Sequence, residues 1–165
     1  MHVVGGARKP LLALTVLLLA ASLGVMPAAY ADPTEEDPSG LSADPDMMAG
    51  KKAIDDKRWA EAIKSLSSAA LRDTRNADIQ NYLGYAYRNA GQMDKAFAHY
   101  ERALKLNPRH RGAHEYVGEA YLMVGKLAQA QEHLKALRAI CLLPCEELVD
   151  LKTKIDRYQL DARKR

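Results

Sequence analysis

The sequence predicts an all-α protein in which three helical hairpins stack and one further helix covers the end of the stack. Three observations carry this expectation. A 34-residue period brings the segments that start at Ala43, Ala77 and Arg111 into register without a gap. Within a segment, apolar residues recur at helical spacing, as Leu83, Ala86, Tyr87 and Ala90 do. After the third segment, Leu148, Leu151, Ile155 and Tyr158 fall on one face of a helical run, with Lys152, Lys154, Asp156 and Arg157 largely on the others.

The 165-residue chain opens with a segment, residues 1–31, that has the three parts of a secretory signal. Arg8 and Lys9 form its charged end, an apolar run starts at Leu11, and Ala29-Tyr30-Ala31 supplies small residues for cleavage after Ala31. Ser22, Gly24 and Pro27 interrupt the far end of the run, which makes a membrane anchor the poorer reading. The expectation is an exported chain with no stable membrane span after cleavage. Residues 32–46 read as an acidic linker rich in proline, with Asp32, Glu35, Glu36, Asp37, Asp44 and Asp46 ahead of the first following base, Lys51. Loss of Arg8 and Lys9 lowers the formal charge from +3 to about +1, too little to argue for nucleic acid as a partner.

The hairpins occupy 43–76, 77–110 and 111–144. The middle row, ADIQNYLGYAYRNAGQMDKAFAHYERALKLNPRH, is the clearest, and the third repeats its columns: Leu83-Gly84 with Val117-Gly118, Tyr87 with Tyr121, Gly91 with Gly125, Ala96 with Ala130. The first row is degraded but in phase through Gly50, Ala53, Ala62, Leu66 and Ala69. Gly91 and Gly125 stand where a left-handed residue closes a first helix, and the small residues Gly84, Gly118, Ala96 and Ala130 let helices approach closely. Asn107-Pro108 ends the second helix of the middle row, because proline disfavours helical geometry in the residue before it. Residues 145 to about 160 form the covering helix, with a basic tail, Asp161 to Arg165, beyond it.

These columns resemble the tetratricopeptide repeat (TPR) over residues 43 to about 144. The resemblance implies a short right-handed superhelix whose first helices line a concave groove for a peptide or helix of a partner protein. Carried over column by column, the groove would be lined by Met47, Lys51, Ile54 and Asp55, by Asn81, Tyr85, Arg88 and Asn89, and by Glu115, Glu119, Leu122 and Met123. Some members of the family clamp a chaperone's terminal carboxylate with Lys and Asn residues in this groove. Here Met47, Lys51 and Tyr82 replace a Lys and two Asn of that set, so a cytosolic chaperone adaptor is disfavoured. The chain is similar to small exported bacterial proteins of this family, which makes a periplasm the expected compartment.

Little in the sequence points to catalysis, and no cofactor is implied. Phosphate-binding glycine loops, zinc-binding HExxH and nucleophile-elbow motifs are missing, and the histidines are scattered. His114 is expected at a boundary between helices, and His99 and His133, in equivalent columns, on the surface. Trp59 is expected to pack on the preceding arm of its hairpin. The two cysteines, Cys141 and Cys145, bracket the turn before the last helix. Export favours a disulfide; free or redox-active thiols and a metal pair remain the other readings. The function expected is therefore a protein-interaction scaffold, with a periplasmic thiol- or metal-handling factor as the alternative.

Overall fold

The computed structural model describes residues 44–164. The signal segment 1–31 and the linker up to residue 43 lie outside the described residues. Seven helices follow in order among those described: α1 (Pro45–Asp55), α2 (Trp59–Arg72), α3 (Ala77–Asn89), α4 (Met93–Leu106), α5 (Arg111–Met123), α6 (Leu127–Ile140) and α7 (Glu146–Arg163). They pair as the hairpins α1–α2, α3–α4 and α5–α6, with α7 packed against α5 and α6.

Local chemistry sets the helix ends. Asn76 and His110, one period apart, start α3 and α5: the Asn76 side chain accepts from the Ile79 N–H, and His110 Nδ1 accepts from the Ala113 N–H. Asp44 does the same for α1, accepting from the N–H groups of Asp46 and Met47, so the last acidic residues of the expected linker belong to the first helix. Within each hairpin the first helix closes on a left-handed residue. Gly91 and Gly125 both have φ of 75°. The first repeat places Lys57 in this column, at φ of 57°, a conformation that glycine adopts at less cost.

The buried apolar side chains form three clusters among the described residues, each joining neighbouring units. Leu66 and Ala69 meet Ile79 and Leu83; Ala96 and Tyr100 meet Val117 and Ala120; Ala130, Leu134 and Leu137 meet Leu151 and Ile155 of α7. A single hairpin has no core of its own, which is why the stack needs its neighbours. The small columns explain the close approaches. A Cβ on Gly50 would stand 2.5 Å from Leu66, and one on Gly84 would stand 2.6 Å from the Tyr100 ring.

At Gly118 the contact changes partner. A Cβ there would meet Leu151 of α7 at 2.7 Å, not the equivalent residue of its own hairpin. α7 also engages α5 more than α6, whereas α3 and α5, where they meet the preceding repeat, meet its second helix more than its first. The covering helix thus leans across α5 instead of continuing the stack as another repeat would. It also runs to Arg163, beyond the end anticipated near residue 160. In the α6–α7 loop Cys141 and Cys145 face each other with Cα atoms 6.0 Å apart, a spacing that suits a disulfide, and Leu142 and Leu143 between them are exposed.

The histidines depart from expectation. His99 and His133 are half-buried, because each meets the first helix of its own hairpin. His99 Nδ1 lies 2.9 Å from Gln80 Oε1, and His133 Nδ1 lies 2.9 Å from His114 Nδ1. Each ring also stacks on a tyrosine, Tyr87 or Tyr121. Burial holds the His133 pKa down at about 4, with the neighbouring His114 adding to the effect.

Candidate functional site

The helices α1, α3 and α5 run along one face, and the residues named for a groove fall into three zones on it. At the α1 end, Lys51 and Asp55 are exposed, and Lys51 Nζ lies 5.3 Å from the Tyr82 ring centroid. Met47 and Ile54 instead pack against the first core cluster.

The middle zone is aromatic. Tyr85 stands half-buried between Trp59, edge-on at 6.2 Å, and Tyr116, at 4.9 Å. Trp59 therefore meets the first helix of the following repeat. Asn89 is exposed and donates to the Tyr85 carbonyl. Arg88 was expected to face a ligand, but it is buried: its guanidinium lies over the Tyr85 and Tyr116 rings and donates to Glu119 Oε2 at 2.7 Å and to the Tyr116 carbonyl at 3.0 Å. Lys154 of α7 donates to the other oxygen of Glu119. Arg88 and Glu119 pair across α3 and α5, and Lys154 joins α7 to them. The column alignment could not show this, because it orders positions along a helix and says nothing of where a long side chain reaches.

The third zone is a cleft of about 330 Å³ between α3, α5 and the first turns of α7. Asn81 and Glu115, one period apart and both expected in a groove, lie in its lining, and both are more than nine-tenths buried. Burial, reinforced by Glu119, pushes the Glu115 carboxyl up to about 8. Tyr82, whose groove column the sequence had marked, also lines it, and the rest of the lining was not anticipated: Asp78, His110, Gly112, Tyr116, and Glu146, Glu147 and Asp150 from α7. The signal for the last three was present, since Glu146, Glu147 and Asp150 share one side of a helix start. What the sequence did not give was the lean of α7 that turns this side toward Glu115. Leu122, assigned to the groove by its column, is drawn instead into the cluster with Leu134 and Leu151, and Met123 is exposed at the helix end.

A tetratricopeptide repeat family model matches residues 77–110. Protein O-mannosyl-transferase Tmtc3 of Drosophila melanogaster is 24% identical over 82 residues, which is 50% of this chain and 9% of that protein. The chain thus spans a small part of that curated relative. Among solved structures, the type III secretion translocator chaperone SycD of Yersinia enterocolitica superposes with a TM-score of 0.63 at 18% identity, over 72% of this chain and 83% of that one. The first TPR domain of Spaghetti (RPAP3), bound to the HSP90 peptide SRMEEVD, gives 0.61 at 20% identity, over 70% of this chain and 90% of that one. At these identities the structures share the fold alone. The chain thus carries a tetratricopeptide repeat at 77–110, set in an all-α repeat fold that it shares with these structures.

Proposed function

We propose that this protein is an exported interaction scaffold, without enzymatic activity of its own, that holds an extended segment or a helix of a partner protein along the face formed by α1, α3 and α5. The observation that carries this reading is the half-exposed aromatic row Trp59–Tyr85–Tyr116 running into a polar cleft. Tyrosine and tryptophan supply rigid amphipathic contact area at low entropic cost, which is why they anchor interfaces. The RPAP3 domain, of the same fold, has a peptide bound.

In this reading Lys51, Asp55, Tyr85 and Asn89 meet the partner, Asn81 and Glu115 floor the groove, and Arg88 and Glu119 brace it from within. The Cys141–Cys145 pair acts as a staple. Export places it in oxidising surroundings, and so short a ring contributes about 2 kcal/mol. The alternative, thiol or metal chemistry through these cysteines, has less behind it: the pair faces itself across a short loop with Cα atoms 6.0 Å apart, which suits a bridge between the two sulfurs.

The test is site-specific photocrosslinking in the compartment where the mature chain resides. A crosslinker replacing Tyr85 should capture a defined partner segment, and one replacing the exposed Glu101 on α4 should not. Equal capture from both positions, or none from Tyr85, overturns the groove. Intact mass of the mature chain with and without reductant and alkylation reads the cleavage after Ala31 and the state of the cysteines. Rapid alkylation without reductant removes the staple.

A further inference from the structure

The cleft between α3, α5 and α7 carries more negative charge than the fold requires. Glu146 and Glu147 sit in the first turn of α7, where carboxylates favour the helix dipole. That accounts for their presence there. Glu147 is moreover 3.4 Å from Arg111 Nε, and Asp78 is 3.0 Å from His110 Nε2.

Neither helix ends nor ion pairs account for the floor. Glu115 is more than nine-tenths buried and has no ion pair among the described residues, and the nearby Lys154 donates to Glu119 instead. Asn81 is 4% exposed, and its Oδ1 has no hydrogen-bond partner. A buried acceptor left unpaired is costly in a stable fold, and Asn81 Oδ1 lines this cleft beside the desolvated Glu115 carboxyl. That acceptor calls for a donor that comes from outside.

We propose that this cleft is the seat of a lysine or arginine side chain on the partner segment, an inference that rests on the groove reading above. The cation's N–H groups pair with the Glu115 carboxylate and the Asn81 carbonyl, with Asp150 and Glu146 at the rim. The rings of Tyr82 and Tyr116 in the wall suit both the aliphatic stem and the charged head of such a side chain. At about 330 Å³ the cleft is at the small end for ligand sites, a size for one side chain rather than for a cofactor. The absence, among the described residues, of a group placed to hold a metal leaves an organic cation as the better fit. This chemistry is opposite to that of SRMEEVD, the glutamate- and aspartate-bearing peptide held by the RPAP3 domain.

The test is a titration of the isotope-labelled mature protein, followed by amide NMR, with N-acetyl-lysinamide and N-acetyl-argininamide, and with N-acetyl-norleucinamide as the uncharged control. Both basic amides should produce saturable shifts at the Asn81 side-chain amide and the Gly112 backbone, and norleucinamide should not. Glu115→Gln should weaken the binding about tenfold. Asp150→Asn, at a position outside the core, should weaken it several-fold without touching the fold. Equal shifts from norleucinamide, no saturable shift from the basic amides, or parent-like titrations of both variants overturn the proposal. Such a result beside intact capture from Tyr85 removes only the basic side chain and leaves the groove standing, whereas loss of the Tyr85 capture removes the groove itself.

Discussion

Arg72 and Glu119 each gather two opposite charges, and they do so in opposite surroundings. Arg72 pairs with Asp44 at 2.8 Å and Asp46 at 2.6 Å, tying the end of α2 to the start of α1, and its side chain is 52% exposed. Glu119 receives Arg88 and Lys154 across α3, α5 and α7, and its side chain is 10% exposed. The same number of ion pairs therefore means different things. In water the Coulomb gain is screened and side-chain entropy offsets it. In the interior the pair is a weak net stabiliser, but the loss of one partner strands a charge.

The largest effect that separates the two clusters is expected from Glu119→Ala. It should destabilise the protein by about 3–5 kcal/mol in denaturant unfolding, because Arg88 is left buried without a counter-charge. A cost below 1 kcal/mol would mean that water reaches Arg88 and that the two clusters are alike. Next comes the leaning helix itself. A Cβ on Gly84 meets the rigid Tyr100 ring and one on Gly118 meets the methyl ends of Leu151. Gly84→Ala should cost about 1–3 kcal/mol from overpacking. Gly118→Ala should cost less, since a leucine end can swing and the gain in helix propensity is about 1 kcal/mol. At the exposed cluster, Asp44→Ala should cost less again, chiefly as a lost helix cap. Arg72→Ala should cost least and should lose even that at high salt.

How the two ends read in the sequence follows the same division. The period, the left-handed glycines, the helix end at Asn107-Pro108 and the hairpin order were legible because each depends on a few neighbouring residues. Arg88 with Glu119 depends on where a long side chain of α3 reaches across α5, and Lys154 with Glu119 and the facing of Asp150 toward Glu115 depend on how far α7 tilts. A repeat alignment carries no information on that, and α7 has no second helix to impose the angle of a full repeat. Lys57 in a glycine column was visible in the alignment, yet only its φ of 57° shows that the backbone geometry is kept without the glycine.

The two ends also respond to pH, and they move in opposite directions. The Arg72 side chain, with the Met47 and Asp46 N–H groups, lowers Asp44 from 3.8 to about 2. The folded form then binds its proton less readily than the unfolded chain, so this contribution is present above about pH 4 and is lost as pH falls toward 2. Glu115 is raised from 4.5 to about 8, so the folded state holds a proton that the unfolded chain has released, and stability falls as pH rises through that interval. His133, lowered from 6.5 to about 4, opposes this in the acid part of the range, where its burial disfavours the charged form. Between pH 6.5 and 8 the Glu115 contribution acts without that opposition, and the melting temperature should decline by a small amount. Glu115→Gln should flatten the decline.

Glu115 is the group on which the electrostatics of the groove converge. Glu119 stands beside it on α5, Asp150 and Lys154 act on it from α7, and Asp78 and His110 share its cleft. A side-chain carboxyl NMR titration of Glu115 in the mature protein is accordingly the most direct measurement of whether this end of the groove is a desolvated acidic seat awaiting a cation. The account requires a midpoint near 8 that moves down when N-acetyl-lysinamide is added. A midpoint in the ordinary glutamate range, near 4.5 and unmoved by the amide, would contradict it.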